Sequence, residues 1–128
     1  MWDYGRMCLR LVPETHLAVG TVSVHGSLDT PRPAEPSAVR GKILVCHGAL
    51  DPHVPMTQVT TFTEEMKHAG VDYQLIVYGS AMHGFTHETA TGQQPGVAYH
   101  APSDARSSAA IGTFFDEIFS TSAHDRLC

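Results

Sequence analysis

The run Lys42 to His47, K-I-L-V-C-H, sets four apolar residues in an unbroken row between Gly41 and Gly48. A strand with one wet face alternates apolar and polar residues. A continuous run needs cover on both faces, the environment of a strand in a parallel sheet packed between helices. The segments around it fit that architecture. Val19 to His25, V-G-T-V-S-V-H, is short and β-branched and meets a turn at Gly26,. Tyr73 to Tyr78, Y-Q-L-I-V-Y, is rich in β-formers and breaks at Gly79,. Between the last two runs, Met56, Val59, Phe62, Met66 and Ala69 recur at three- and four-residue steps, with Glu64, Glu65, Lys67 and His68 mostly opposite. That spacing predicts an amphipathic helix, stopped by Gly70. Ser103 is the expected cap of a second helix, whose broad apolar face holds Ala110, Ile111, Phe114, Phe115, Ile118 and Phe119,.

Asp29 to Ser37, D-T-P-R-P-A-E-P-S, carries three prolines and reads as an extended surface loop,. Ser80 to Pro102 is a long irregular stretch, and loops of that length tend to be functional or mobile,. The order strand, loop, strand, helix, strand, helix gives an α/β class with parallel strands and right-handed crossovers. Three strands make a narrow sheet, so the unit is either minimal or the back half of something larger. An unpaired edge on such a sheet favours dimerisation, which makes a homodimer through that edge an expected partner.

The 128 residues allow one domain, without internal repeats,. Eight Lys and Arg against thirteen Asp and Glu give a net charge of −5, and the basic residues are scattered, so no nucleic-acid partner is expected,. No apolar stretch approaches the roughly 20 residues that span a bilayer. The first thirty residues lack the pattern of a secretory signal, so the expected location is cytoplasmic, with no membrane partner,. Cys8, Cys46 and Cys128 share no C-x-x-C spacing and read as reduced thiols,.

Ligands of open parallel sheets gather beyond the carboxyl ends of the strands. His25-Gly26 follows the first strand there. H-G-A-L-D-P-H-V-P with Asp51 follows the second, and G-S-A-M-H-G-F-T with His83 the third. An Asp and a His leaving adjacent strands on one edge are the orienting acid and general base of a nucleophile, Asp, His triad in α/β-hydrolase order. The plainer readings are an Asp-Pro turn starter for Asp51 and a surface-loop histidine for His83.

The stretches G-K-I-L-V-C-H-G-A-L-D-P-H-V-P, Y-G-S-A-M-H-G-F-T and P-G-V-A-Y-H, with Asp51 and His83 spaced 32 positions apart, resemble the C-terminal half of dienelactone hydrolases, and V-S-V-H-G-S-L resembles the strand before it. The resemblance covers residues 19–119. It implies a truncated α/β-hydrolase-like three-layer sandwich with a mainly parallel sheet of about three strands. It also implies Asp51 as triad acid, His83 as triad base, no metal or cofactor, and hydrolysis of small ester or lactone substrates through an acyl-enzyme, usually on a cysteine. The departure is the nucleophile: neither G-x-C-x-G nor G-x-S-x-G occurs in the chain. Residues 1–18 are read as the remnant of that elbow region, with Tyr4-Gly5 and Asp3 near its place, and 120–128 as a frayed tail. The expected function is therefore a triad hydrolase whose elbow is absent from this chain. The alternative is an inactive hydrolase-fold remnant serving as a binding or interaction module.

Other candidates have plainer explanations. His83 and His87 stand four apart before Glu88, but Gly84 argues against a helix and the order is not H-E-x-x-H, so no metal site is expected,. Cys46 in a strand interior reads as a core thiol, and Cys8 as packing in a helix. Phe114, Phe115 and Phe119 read as core aromatics. Tyr99 either lines a pocket or anchors the long loop.

Overall fold

The computed structural model describes residues 7–11, 20–37 and 39–127, of which 7–11 and 120–127 by their backbone alone. In chain order the elements are β1 (Met7–Leu11), β2 (Gly20–Val24), β3 (Lys42–Gly48), α1 (Met56–Ala69), β4 (Tyr73–Tyr78) and α2 (Ala101–Leu127). The sheet order is β1-β2-β3-β4. Strands β2, β3 and β4 are mutually parallel, and β1 runs antiparallel along the outer side of β2. The three parallel strands are those expected from the sequence.

The continuous apolar run behaves as its composition demands. Ile43 and Val45 of β3 point to one face and join Leu28, Val54, Val59, Phe62 and Met66 in a core under α1. Leu44 and Cys46 point to the other, with Val22, Val24, Tyr78, Phe85, Phe114 and Ile118, under α2. Two helices on opposite faces make the three layers of an α/β sandwich. Helix α1 ends where Gly70 takes a left-handed φ of 68°, a conformation that costs glycine least,.

The proline-rich segment has no sheet neighbours for its backbone. Side chains of α1 serve instead: Gln58 Oε1 accepts the Leu28 N–H at 3.0 Å, and Glu65 Oε1 accepts the Ala34 N–H at 3.1 Å. This explains why Glu65, a charged residue on a helix, is buried,. Between this loop and α1 lies an open groove of about 570 Å³.

Several local expectations are corrected. Cys8 sits in a strand rather than a helix, because M-C-L-R-L alternates with period two and pairs along β2,. That strand covers the outer side of β2, so the outer edge of β4 is the unpaired one among the described parallel strands. Helix α2 starts two residues before Ser103, and its cap is His100: Nδ1 lies 2.7 Å from Ser103 Oγ and accepts the Ser103 N–H at 3.3 Å. An imidazole nitrogen here fills the role usually given to a hydroxyl or carboxylate oxygen. The helix backbone continues to Leu127 where a frayed tail was expected. Phe119 is 58% exposed, so it is not the core aromatic that its spacing suggested, and Met56 at the start of α1 is 48% exposed. The elbow remnant at residues 1–6 lies outside the described residues.

Candidate active site

The carboxyl ends of the three parallel strands carry His25, Asp51 and His83, and backbone hydrogen bonds bind their loops together. Ala49 N–H donates to the Tyr78 carbonyl and Leu50 N–H to the Ala81 carbonyl, each at 2.9 Å, so the loop after β3 is laced to the loop after β4. Gly48 makes this approach possible: a Cβ there would sit 2.6 Å from the Ala81 carbonyl oxygen,. The motif P-G-V-A-Y-H also finds its place. His83 N–H donates to the Gly96 carbonyl, Ala98 N–H to the His83 carbonyl and His100 N–H to the Phe85 carbonyl, so this segment clamps the His83 turn from outside.

Within that frame Asp51 Oδ2 lies 2.9 Å from His83 Nδ1. The Asp51 side chain is fully buried, whereas that of His83 is 32% exposed. The other carboxylate oxygen accepts the N–H groups of His53 at 2.8 Å and Val54 at 3.2 Å, which closes the turn after β3. A carboxylate only accepts, so the proton between it and the imidazole belongs to Nδ1. That leaves the Nε2 lone pair of His83 as the basic atom.

More imidazoles surround this pair than the sequence suggested. The rings of His25 and His53 stand edge to face with His83 at centroid distances of 5.7 and 5.1 Å. His25 also meets His87 at 4.8 Å, and its Nε2 lies 2.8 Å from Thr86 Oγ1. Burial, helped by the facing His87 and His83, brings the His25 pKa down to about 4, so its ring is uncharged at neutral pH,. The only sequence signal for His25 was its place at a strand end. Nothing in the linear order showed that it, His53 and His87 converge on His83.

Other candidate residues fall elsewhere. Cys46 is buried in the core beneath α2, and burial raises its pKa, which keeps the thiol protonated and inert,. Tyr99 is an anchor: its hydroxyl donates to Asp104 Oδ2 at 3.0 Å, tying the long loop to α2. His83 and His87 sit on a turn, and among the described residues no three His, Cys, Asp or Glu side chains are grouped to hold a metal ion. Among the described residues no helix is long and apolar enough to cross a membrane.

Comparison with known proteins bears on the family and the fold. An uncharacterised protein of Caenorhabditis elegans, K02A2.1, is 39% identical over 101 residues, which cover 77% of this chain and 63% of that protein. The solved structure named m3DLH is 37% identical with a TM-score of 0.70, over 76% of this chain and 41% of that one. A dienelactone hydrolase-like promiscuous phosphotriesterase from metagenomic libraries is 36% identical with a TM-score of 0.61, over 63% and 34%. The chain thus spans less than two thirds of each of these proteins. The family model for dienelactone hydrolases matches residues 5–119, a stretch that takes in all four strands, the loops carrying Asp51 and His83, and most of α2; the chain belongs to the dienelactone hydrolase family.

Proposed function

We propose that this hydrolase-fold chain supplies the acid and base of a triad that hydrolyses small esters or lactones. His83 Nε2 takes the proton of a nucleophilic thiol or hydroxyl as that atom attacks the carbonyl carbon. Asp51 holds the imidazole in the Nδ1–H tautomer and stabilises the imidazolium. Collapse of the tetrahedral intermediate expels the alcohol, which takes the proton from His83, and water then releases the acid by the same exchange in reverse. The observation that carries this reading is the 2.9 Å contact between His83 Nδ1 and Asp51 Oδ2 at the ends of adjacent parallel strands. No metal or cofactor takes part in it. A p-nitrophenyl phosphotriester belongs among the trial substrates, given the relative named as a phosphotriesterase.

The nucleophile is the open part of the scheme, since no G-x-C-x-G or G-x-S-x-G run lies within the 128 residues. That fact favours a second reading, a non-catalytic module that acts by binding or by self-association along the outer edge of β4. Two measurements separate the readings. The first is p-nitrophenyl acetate turnover beside His83→Ala in a form that carries the nucleophile, the isolated 128-residue chain being expected to be inactive: a rate above the variant is expected there, and equal rates remove His83 from the mechanism. The second is the genomic frame upstream of Met1, where an elbow codon run supports the enzyme. An in-frame stop with no such run supports the module.

A further inference from the structure

His25 closes β2 with a φ of 40°, in the region that residues with side chains seldom enter,. Its ring is buried at 4% exposure, packed against Phe85 as well as His83 and His87. The side-chain hydrogen bond of that ring reaches Thr86, three residues beyond His83 on the same turn. An apolar residue would fill the space without a buried polar group to satisfy, so packing alone does not account for an imidazole at this position.

We propose that His25 is a positioning residue for His83: it ties Thr86 to the end of β2 and lays its ring against the His83 imidazole, holding that imidazole in the tautomer and orientation that Asp51 selects. The proposal rests on the reading of Asp51 and His83 as acid and base. Asp51 grips the ring from the end of β3 through a single contact, about which the imidazole is free to pivot. The Thr86 anchor fixes the turn from the end of β2, and the rings of His25 and His53 stand on the imidazole's flanks. The arrangement requires an uncharged His25 when His83 carries a proton. The charged or titratable groups that bear on His25 are His87, His83 and Asp51, and its burial keeps it neutral down to about pH 4.

Long-range proton–nitrogen NMR of the imidazole nitrogens, recorded on the full 128-residue chain, tests this. The wild type is expected to show His83 as the Nδ1–H tautomer. In Thr86→Val and in His25→Phe the minor Nε2–H tautomer should rise by about fivefold, the equilibrium weight of one net hydrogen bond. Thr86→Ser, which keeps the hydroxyl, should restore the wild-type ratio, and the double variant His25→Phe with Thr86→Val should match His25→Phe alone. If His25→Phe does not fold, the Thr86 pair carries the test, because it leaves the His25 ring in place. A wild-type ratio in folded Thr86→Val overturns the proposal. Asp51→Asn is the control: a ratio that responds to Asp51→Asn and not to Thr86→Val sinks the positioning role alone, and one that ignores Asp51→Asn sinks the acid and base reading as well.

Discussion

One carboxylate does two things in this fold: Oδ2 of Asp51 lies 2.9 Å from His83 Nδ1, while its Oδ1 accepts two backbone N–H groups of the turn that follows β3. The turn starter and the triad acid, which compete as readings of the sequence, are compatible because the two oxygens point to different partners. Local hydrogen bonds orient the carboxylate before His83 arrives, so the second bond forms with less ordering cost.

Asp51→Asn keeps a carbonyl oxygen for the turn but sets an amide N–H₂ against the His83 Nδ1–H. In a form that carries the nucleophile, ester turnover is expected to fall by about 10⁴-fold, as for loss of the tautomer-setting carboxylate elsewhere. The fold should lose only about 1 kcal/mol. Asp51→Ala leaves the His53 and Val54 N–H groups and the imidazole without their acceptor, so it should cost roughly 3 kcal/mol. Urea denaturation of both variants checks the order, and equal losses would mean that the turn bonds carry no weight.

Acid should weaken the fold through His25. The unfolded imidazole binds a proton at 6.5 and the folded one only at about 4, so between these values the unfolded state holds more protons and stability falls as pH drops,. The loss should reach roughly 3 kcal/mol below the lower value and vanish above the upper one. Burial pushes His47 in the same direction. Denaturation midpoints at pH 7 and pH 5 should differ less in His25→Phe than in the wild type, and an unchanged difference would assign the acid sensitivity to other groups.

His47 is 1% exposed, and no well-formed hydrogen bond reaches either ring nitrogen among the described residues, the backbone of Val54 acting on the ring only weakly against its burial. A buried polar group in that condition costs more than an apolar one of similar size. His47→Leu is expected to stabilise the chain by about 1 kcal/mol. Thermal unfolding of the variant is the measurement, and a lower midpoint would show that the imidazole is satisfied in solution.

Gly48→Ala would drive a methyl group to within 2.6 Å of the Ala81 carbonyl oxygen, a backbone atom that cannot swing aside. Separating the two loops should cost roughly 2 kcal/mol, within the range for overpacked sites. It should also loosen the Ala49 and Leu50 hydrogen bonds, visible as faster amide exchange at those two residues. Amide protection equal to the wild type would show that the loops tolerate the separation.

The parts of the fold that were legible in the sequence are those whose signal is local. Ile43 to Cys46 showed a strand covered on both faces because no polar residue interrupts them. Met56 to Ala69 showed a helix through its three- and four-residue steps, and Gly70 showed its end. Where a local rule had a rival, the tertiary setting chose: β1 formed as a strand along β2, His100 capped α2 in place of Ser103, and Phe119 stayed exposed while Phe114 and Ile118 of the same face were buried.

Taken alone, the sequence determined the α/β class, the order of the elements and the two strand ends that bear Asp51 and His83, since periodicities of two and of about 3.6 residues are written in neighbouring side chains. Only the tertiary structure decided that these two side chains meet, that one aspartate oxygen closes its own turn while the other orients the imidazole, and that His25, His53 and His87 gather around it. Such meetings depend on strand register and on how loops cross above the sheet, and a contact across 32 residues leaves no trace in the spacing of the residues that make it,.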